Sequence, residues 1–295
     1  MKRMNAISGI VTALFAGLAT AQQPPSTDVW VATIGAGDHA ALVLRSPRNL
    51  TARAGYDNQP AFSSNGGIVY FSSARGDGQN DIWSVDVASG RQTRITTTAP
   101  ESEYSPTLML GGATLSVIRV ERDSAQRLWR IPLDGSPSTV IMPAIKPVGY
   151  HAWGEGDAIA MFVLGSPNSL QIGDATKGTA TVAAQRIGRG LAKIPRENAI
   201  SFVDKSLDQE WWITRYDFAT GAKTRIAQTL PGVEDYAWMP DGTLLCGRQS
   251  QVFMWSQSRW EQIADFEAAG VRNITRMAVS PRGDALAFVA ADKTP

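Results

Sequence analysis

The sequence predicts an all-β fold: a six-bladed β-propeller of four-stranded antiparallel blades, its ring closed by N-terminal strands that complete the last blade. Three observations predict it. Hairpin-like blocks begin at Ala61, Thr107, Ala152, Ala192, Ala237 and Ala278, so successive units run about 40–46 residues, the period of a four-stranded blade. Within each unit apolar and polar residues alternate with a period of two, not as a helical stripe. The last unit ends after one hairpin, and two strand-like segments near the start of the chain supply the outer half it lacks.

Composition agrees. The chain has 295 residues, 43% of them hydrophobic and 19% charged, which fits a globular domain and excludes a disordered one. Gly (27) and Pro (16) recur at short intervals and disfavour a helical bundle. A net charge of +1 gives no strong field for nucleic acid or an anionic membrane. The lone Cys246 excludes an internal disulfide and a thiolate zinc cluster, and His39 and His151 leave little for metal or triad chemistry.

The elements follow in order. Lys2 and Arg3 precede an apolar stretch, Ile7 to Ala19, and then Ala19-Thr20-Ala21 before Gln22. This is the order of a secretory signal peptide over residues 1–21, too short to span a bilayer. No cysteine near the cleavage point offers a lipid anchor, and no later segment reads as a membrane span. Residues 22–27 form a short linker, and 28–295 a single propeller domain. A periplasmic or secreted location follows.

Asp28-Val29-Trp30-Val31 and Ala41-Leu42-Val43-Leu44 read as a third and a fourth blade strand. The first full unit, Pro60-Ala61-Phe62-Ser63-Ser64-Asn65-Gly66 and then Ile68-Val69-Tyr70-Phe71, is a hairpin with an Asn-Gly turn. Asp81-Ile82-Trp83 and Arg91-Gln92-Thr93-Arg94 supply its outer strands. The same plan recurs five times, with Trp129 and Trp212 at the position of Trp83, and Trp153 and Trp238 at that of Phe62. That periodicity marks these tryptophans as packing between blades, not as a sugar-stacking platform. Pairing the two ends in one sheet removes exposed edges and makes one cooperative unit of blades too small to stand alone.

Asn58-Gln59-Pro60-Ala61-Phe62-Ser63-Ser64-Asn65-Gly66, Tyr70-Phe71-Ser72-Ser73 and Asp77-Gly78-Gln79-Asn80-Asp81-Ile82-Trp83 resemble the TolB-type propeller repeat. Met239-Pro240-Asp241-Gly242 and Ser280-Pro281-Arg282-Gly283 repeat its turn. The resemblance covers about residues 28–292 and is faint in the third and fourth units. It is to the propeller alone, without the small α/β domain that precedes it in TolB. It implies a six-bladed ring, usually periplasmic and usually a binding module.

Propeller ligands usually meet the face where loops lead into each innermost strand. Those loops supply Asp57, Asn58, Glu103, Tyr104, Tyr150, His151, Arg189, Glu234, Asp235, Tyr236 and Arg276. Acids dominate three loops and arginines two others, with tyrosines as flat contacts between them. Such a mouth suits an envelope protein or peptide, and no cofactor, metal or nucleic acid is expected. The enzymatic alternative is an extracytoplasmic hydrolase or lyase on a glycan or peptide, using Glu103, Glu234, Asp235 and His151. It lacks the Gly-x-Ser-x-Gly elbow of the hydrolases often joined to propellers. Asp77–Asp81 places oxygen ligands close together but without the spacing of an EF-hand. Cys246 reads as a buried thiol, and the protein as a monomer.

Overall fold

The computed structural model describes residues 26–37, 42–76 and 78–291. The segment expected to be a signal peptide, most of the expected linker, His39 and Asp77 lie outside the described residues. The chain opens with β1 (Thr27–Ala36) and β2 (Leu42–Asn49). Blade one is β3 (Asp57–Phe62), β4 (Ile68–Ala74), β5 (Asn80–Asp86) and β6 (Gln92–Arg94). Blade two is β7 (Ser102–Leu108), β8 (Thr114–Val120), β9 (Gln126–Pro132) and β10 (Thr139–Ile141). Blade three is β11 (Val148–Trp153), β12 (Ala158–Val163), β13 (Ser169–Asp174) and β14 (Thr179–Gln185). Blade four is β15 (Ile187–Lys193), β16 (Ala199–Asp204), β17 (Trp212–Asp217) and β18 (Lys223–Gln228). Blade five is β19 (Tyr236–Trp238), β20 (Leu244–Arg248), β21 (Gln251–Ser256) and β22 (Arg259–Asp265), and β23 (Thr275–Val279) and β24 (Ala285–Ala291) begin blade six.

The six sheets are each four-stranded, and the sixth has the order β2-β1-β24-β23. The ring therefore closes as the sequence predicts. Trp30 pairs with Phe288 across β1 and β24, and their rings stack with centroids 6.4 Å apart.

Six apolar clusters hold the ring, one at each boundary between blades. The second strand of each blade feeds two of them, because successive side chains point to opposite faces. In β24, Leu286, Phe288 and Ala290 enter the cluster shared with blade five, and Ala287 and Val289 the one shared with blade one. In β12, Ile159, Met161 and Val163 face blade two, and Ala160 and Phe162 face blade four. No blade has a core of its own.

The recurrent tryptophans pack as scaffold. Trp83, Trp129 and Trp212 each lie under a guanidinium, from Arg75 at 3.7 Å, Arg119 at 4.2 Å and Arg225 at 5.1 Å. The Trp153 indole N–H donates to Ser116 of blade two at 2.8 Å, and Trp238 to Ser201 of blade four at 2.9 Å. Trp255 and Trp260 meet edge to face across β21 and β22. Cys246 is buried beside Leu244 in the boundary between blades four and five, and burial pushes its thiol up. Among the described residues no helix is long and apolar enough to cross a membrane.

Candidate functional site

The innermost strands β3, β7, β11, β15, β19 and β23 surround the central channel. A cavity of about 140 Å³ lies in its entrance half, with walls from all six. Two places before each repeat anchor stand Gln59, Ser105, Tyr150, Gly190, Asp235 and Arg276, and all six line that cavity. Five of the six strands carry a bulge in this region. The extra residue breaks strict alternation and re-aims a side chain. Gln59, Ser105 and Arg276 take left-handed backbone there, at φ 59, 53 and 46°.

The electrostatic centre is Asp235. Its Oδ1 accepts from Arg276 Nη1 at 2.8 Å and its Oδ2 from Arg189 Nη2 at 2.7 Å. Arg276 Nη2 also donates to the Tyr150 hydroxyl at 2.8 Å. Burial pushes the Asp235 carboxyl up, but the charges of Arg276 and Arg189 outweigh it and hold the group below its ordinary value. Gly190 is set by space. A Cβ there would lie 2.2 Å from the Glu234 carbonyl oxygen, so the approach of β15 to the loop before β19 requires glycine.

The other predicted residues divide. Glu234 sits beside this group, accepting from the Arg189 backbone N–H at 2.7 Å and from the Lys205 ammonium. Tyr104 accepts from Asn80 Nδ2 at 2.7 Å. Asp57 and Glu103 are fully buried and paired to arginines, Asp57 with Arg53 at 3.1 Å and Glu103 with Arg119 at 2.9 Å. Burial pushes both carboxyls up, despite their cationic and hydroxyl partners. Asn58 is buried and donates to Thr27 Oγ1 at 3.3 Å. These three hold loops to strands and do not reach the cavity lining.

His151 and Tyr236 line the cavity and also bridge blades. His151 Nε2 lies 2.6 Å from Ser116 Oγ in blade two, and Tyr236 donates to Ser201 Oγ in blade four at 2.9 Å. The two residues occupy the same place in the repeat, and Trp153 and Trp238 bind the same two serines. The Ser–His contact is thus one copy of a repeated clamp between blades. Burial lowers the His151 imidazole to about 3, leaving it neutral, and pushes the Tyr236 phenol up.

Tyr56, Gln59 and Ser105 were not among the predicted residues. Gln59 and Ser105 become visible by counting back two places from every anchor. Tyr56 lies within electrostatic reach of Tyr150, Arg276, Tyr104 and Arg189, and burial pushes its phenol up. Among the described residues, no three His, Cys, Asp or Glu side chains group as metal ligands.

Six four-stranded blades around a charged channel define a TolB-like β-propeller fold. The chain is similar to the structure of a putative TolB from Agrobacterium tumefaciens, with a TM-score of 0.72 and 14% identity over 92% of this chain and 100% of that one. It is also similar to TolB from Acinetobacter baumannii (TM-score 0.60, 11% identity, 90% of this chain), of whose length it spans 64%. An oligogalacturonate lyase from Vibrio parahaemolyticus shares the ring at a TM-score of 0.51 and 10% identity, over 91% of this chain and 99% of that one. No protein-family model and no curated protein sequence matches the chain. At these identities the likeness establishes the fold alone, and one fold serves many functions.

Proposed function

We propose that this is an exported, non-enzymatic propeller that binds a protein or peptide of the cell envelope through its channel face. The observation that carries the reading is the state of the carboxylates at the mouth. Glu103, Glu234 and Asp235 are each engaged by a cation, and His151 is clamped and neutral. Acid–base catalysis needs a group free to trade a proton with substrate. None of the four is placed for that, which counts against the hydrolase or lyase alternative. Around them Tyr104, Tyr150 and Arg189 are partly exposed, and these are side chains favoured at protein interfaces. The signal-like N-terminus and the TolB-like fold support an envelope location.

Affinity capture from the host's envelope extract tests this, with wild type beside the paired variant Glu234→Lys, Arg189→Glu. Circular dichroism confirms that the variant folds. The reading expects one or more specific partners retained by wild type and released by the variant. An identical set of captured proteins from both would contradict it.

A further inference from the structure

The charged side chains lining the channel cavity are Arg189, Arg276 and Asp235, two cations against one anion. Both Asp235 oxygens are already taken, Oδ1 by Arg276 Nη1 and at 3.5 Å by Arg189 Nε, and Oδ2 by Arg189 Nη2. Donors are left over. Ser105 Oγ and Arg276 Nε are enclosed with no partner in the protein. The Tyr150 oxygen accepts from Arg276, so its own proton is available to another acceptor. The Arg189 side chain is 37% exposed, so it can meet an arriving group without first breaking out of the core. Enclosed donors without acceptors are costly, and a ligand rich in acceptors relieves that cost.

We propose that this cavity is a carboxylate-binding site in which Arg189, Arg276, Ser105 and Tyr150 receive one free carboxylate. Charge and size select the ligand. A cation would add to an existing surplus of positive charge. A phosphate dianion would leave a net negative charge enclosed, whereas a single carboxylate brings the three charged residues and their ligand to neutrality. Arginine also matches a planar carboxylate in geometry. The cavity's volume, about 140 Å³, takes a carboxylate with a few carbons behind it, as on an acidic side chain or a small free acid. The peptide-borne source rests on the channel-face reading given above, while the chemistry of the site does not.

Titration calorimetry on the full mature chain tests the site. Four probes are compared: acetyl-glutamate amide, its neutral isostere acetyl-glutamine amide, sodium acetate and inorganic phosphate. The expected result is saturable binding of a carboxylate probe at least tenfold tighter than the glutamine isostere or phosphate. Arg189→Gln should weaken it about tenfold, the size of one lost charged hydrogen bond. Tighter binding of the glutamate probe than of acetate indicates a peptide-borne group, and the reverse a free acid. Arg276→Gln could fail to fold, because it removes a partner from a buried aspartate, so Ser105→Ala is the second variant and should weaken binding several-fold. Equal binding of glutamate and glutamine probes, tighter phosphate binding, no saturable binding at all, or wild-type affinity in both variants would overturn the proposal. The two readings fail separately: a partner lost from the charge-swapped mouth with no carboxylate binding removes only this one, and carboxylate binding with unchanged partner capture removes only the other.

Discussion

His151 lies between blades two and three with one ring nitrogen on Ser116 and the other enclosed without a partner. Burial holds its imidazole down to about 3, from an ordinary value near 6.5. Between those values the unfolded chain binds a proton that the folded chain refuses. The contribution to stability is therefore whole above about pH 6.5 and is lost progressively as the pH falls toward 3. Buried Asp57 and Glu103, whose carboxyls are pushed up, act in the opposite sense, so the histidine is isolated by difference. His151→Tyr places there the residue found at the equivalent position, Tyr236. Its urea midpoint should fall less than that of wild type between pH 7 and pH 4.5. Parallel pH profiles would show that the imidazole does not carry the effect.

Asp235 makes a second prediction at this scale. It is 8% exposed and holds two guanidiniums. Asp235→Ala leaves both arginines without their common partner and should cost about 3–5 kcal/mol in urea unfolding. A loss below about 1 kcal/mol would mean that water already screens the cluster.

At the scale of the element, the repeated hairpin between the first and second strands sets the blade. Its turn holds a glycine with left-handed backbone in five blades, as at Gly66 (φ 71°) and Gly283 (φ 73°). In blade four Glu197 stands at the glycine's place and the left-handed backbone falls one residue earlier, on Arg196 at φ 62°, which costs a side-chain-bearing residue about 1 kcal/mol. Arg196→Gly should therefore stabilise the protein by up to about 1 kcal/mol and Gly66→Ala should destabilise it by a similar amount. Thermal unfolding of the pair gives the comparison, and shifts of the same sign would contradict the strain argument. Gly190→Ala in β15 should be worse than either, because backbone, not a movable side chain, blocks the Cβ.

These turns also show why the ring was legible in the sequence and the site only partly so. Turn glycine, alternation and the paired tryptophans repeat with the blade, so six noisy copies support one pattern. Glu197 in place of the turn glycine is why the fourth copy reads faintly. The bulges have no residue signature of that kind, and they decide which loop residues face the channel. Loop charge therefore selected Asp57 and Glu103, which fold inward onto Arg53 and Arg119. It passed over Gln59 and Ser105, which the bulges turn toward the axis. Asp235, Arg189 and Arg276 were legible as loop charges, but their convergence on one carboxylate depends on three blades meeting across the channel.

For the whole molecule, the shared boundary clusters make the six blades one unit. The two strands from the start of the chain are as much a part of this as any other, since Val29 and Val31 pack with Phe62, Val69 and Phe71 of blade one. Urea unfolding followed by tryptophan fluorescence and by far-ultraviolet circular dichroism should give coincident transitions. Separate transitions would mean that some blades stand without their neighbours. The closed ring also fixes two unlike faces. One carries the channel mouth, and the other carries the turns that end the innermost strands, including Leu110, 94% exposed between β7 and β8.

That difference between faces gives the most direct test of a channel-centred binding role. A photoreactive benzoylphenylalanine is placed in the cell either at Tyr104, beside the mouth, or at Leu110, on the far face, and crosslinked partners are identified by mass spectrometry. The account predicts a discrete crosslinked product from position 104 that is lost in the Arg189→Glu background, and none of that mass from position 110. The same product from both positions, or one from position 110 alone, would contradict it.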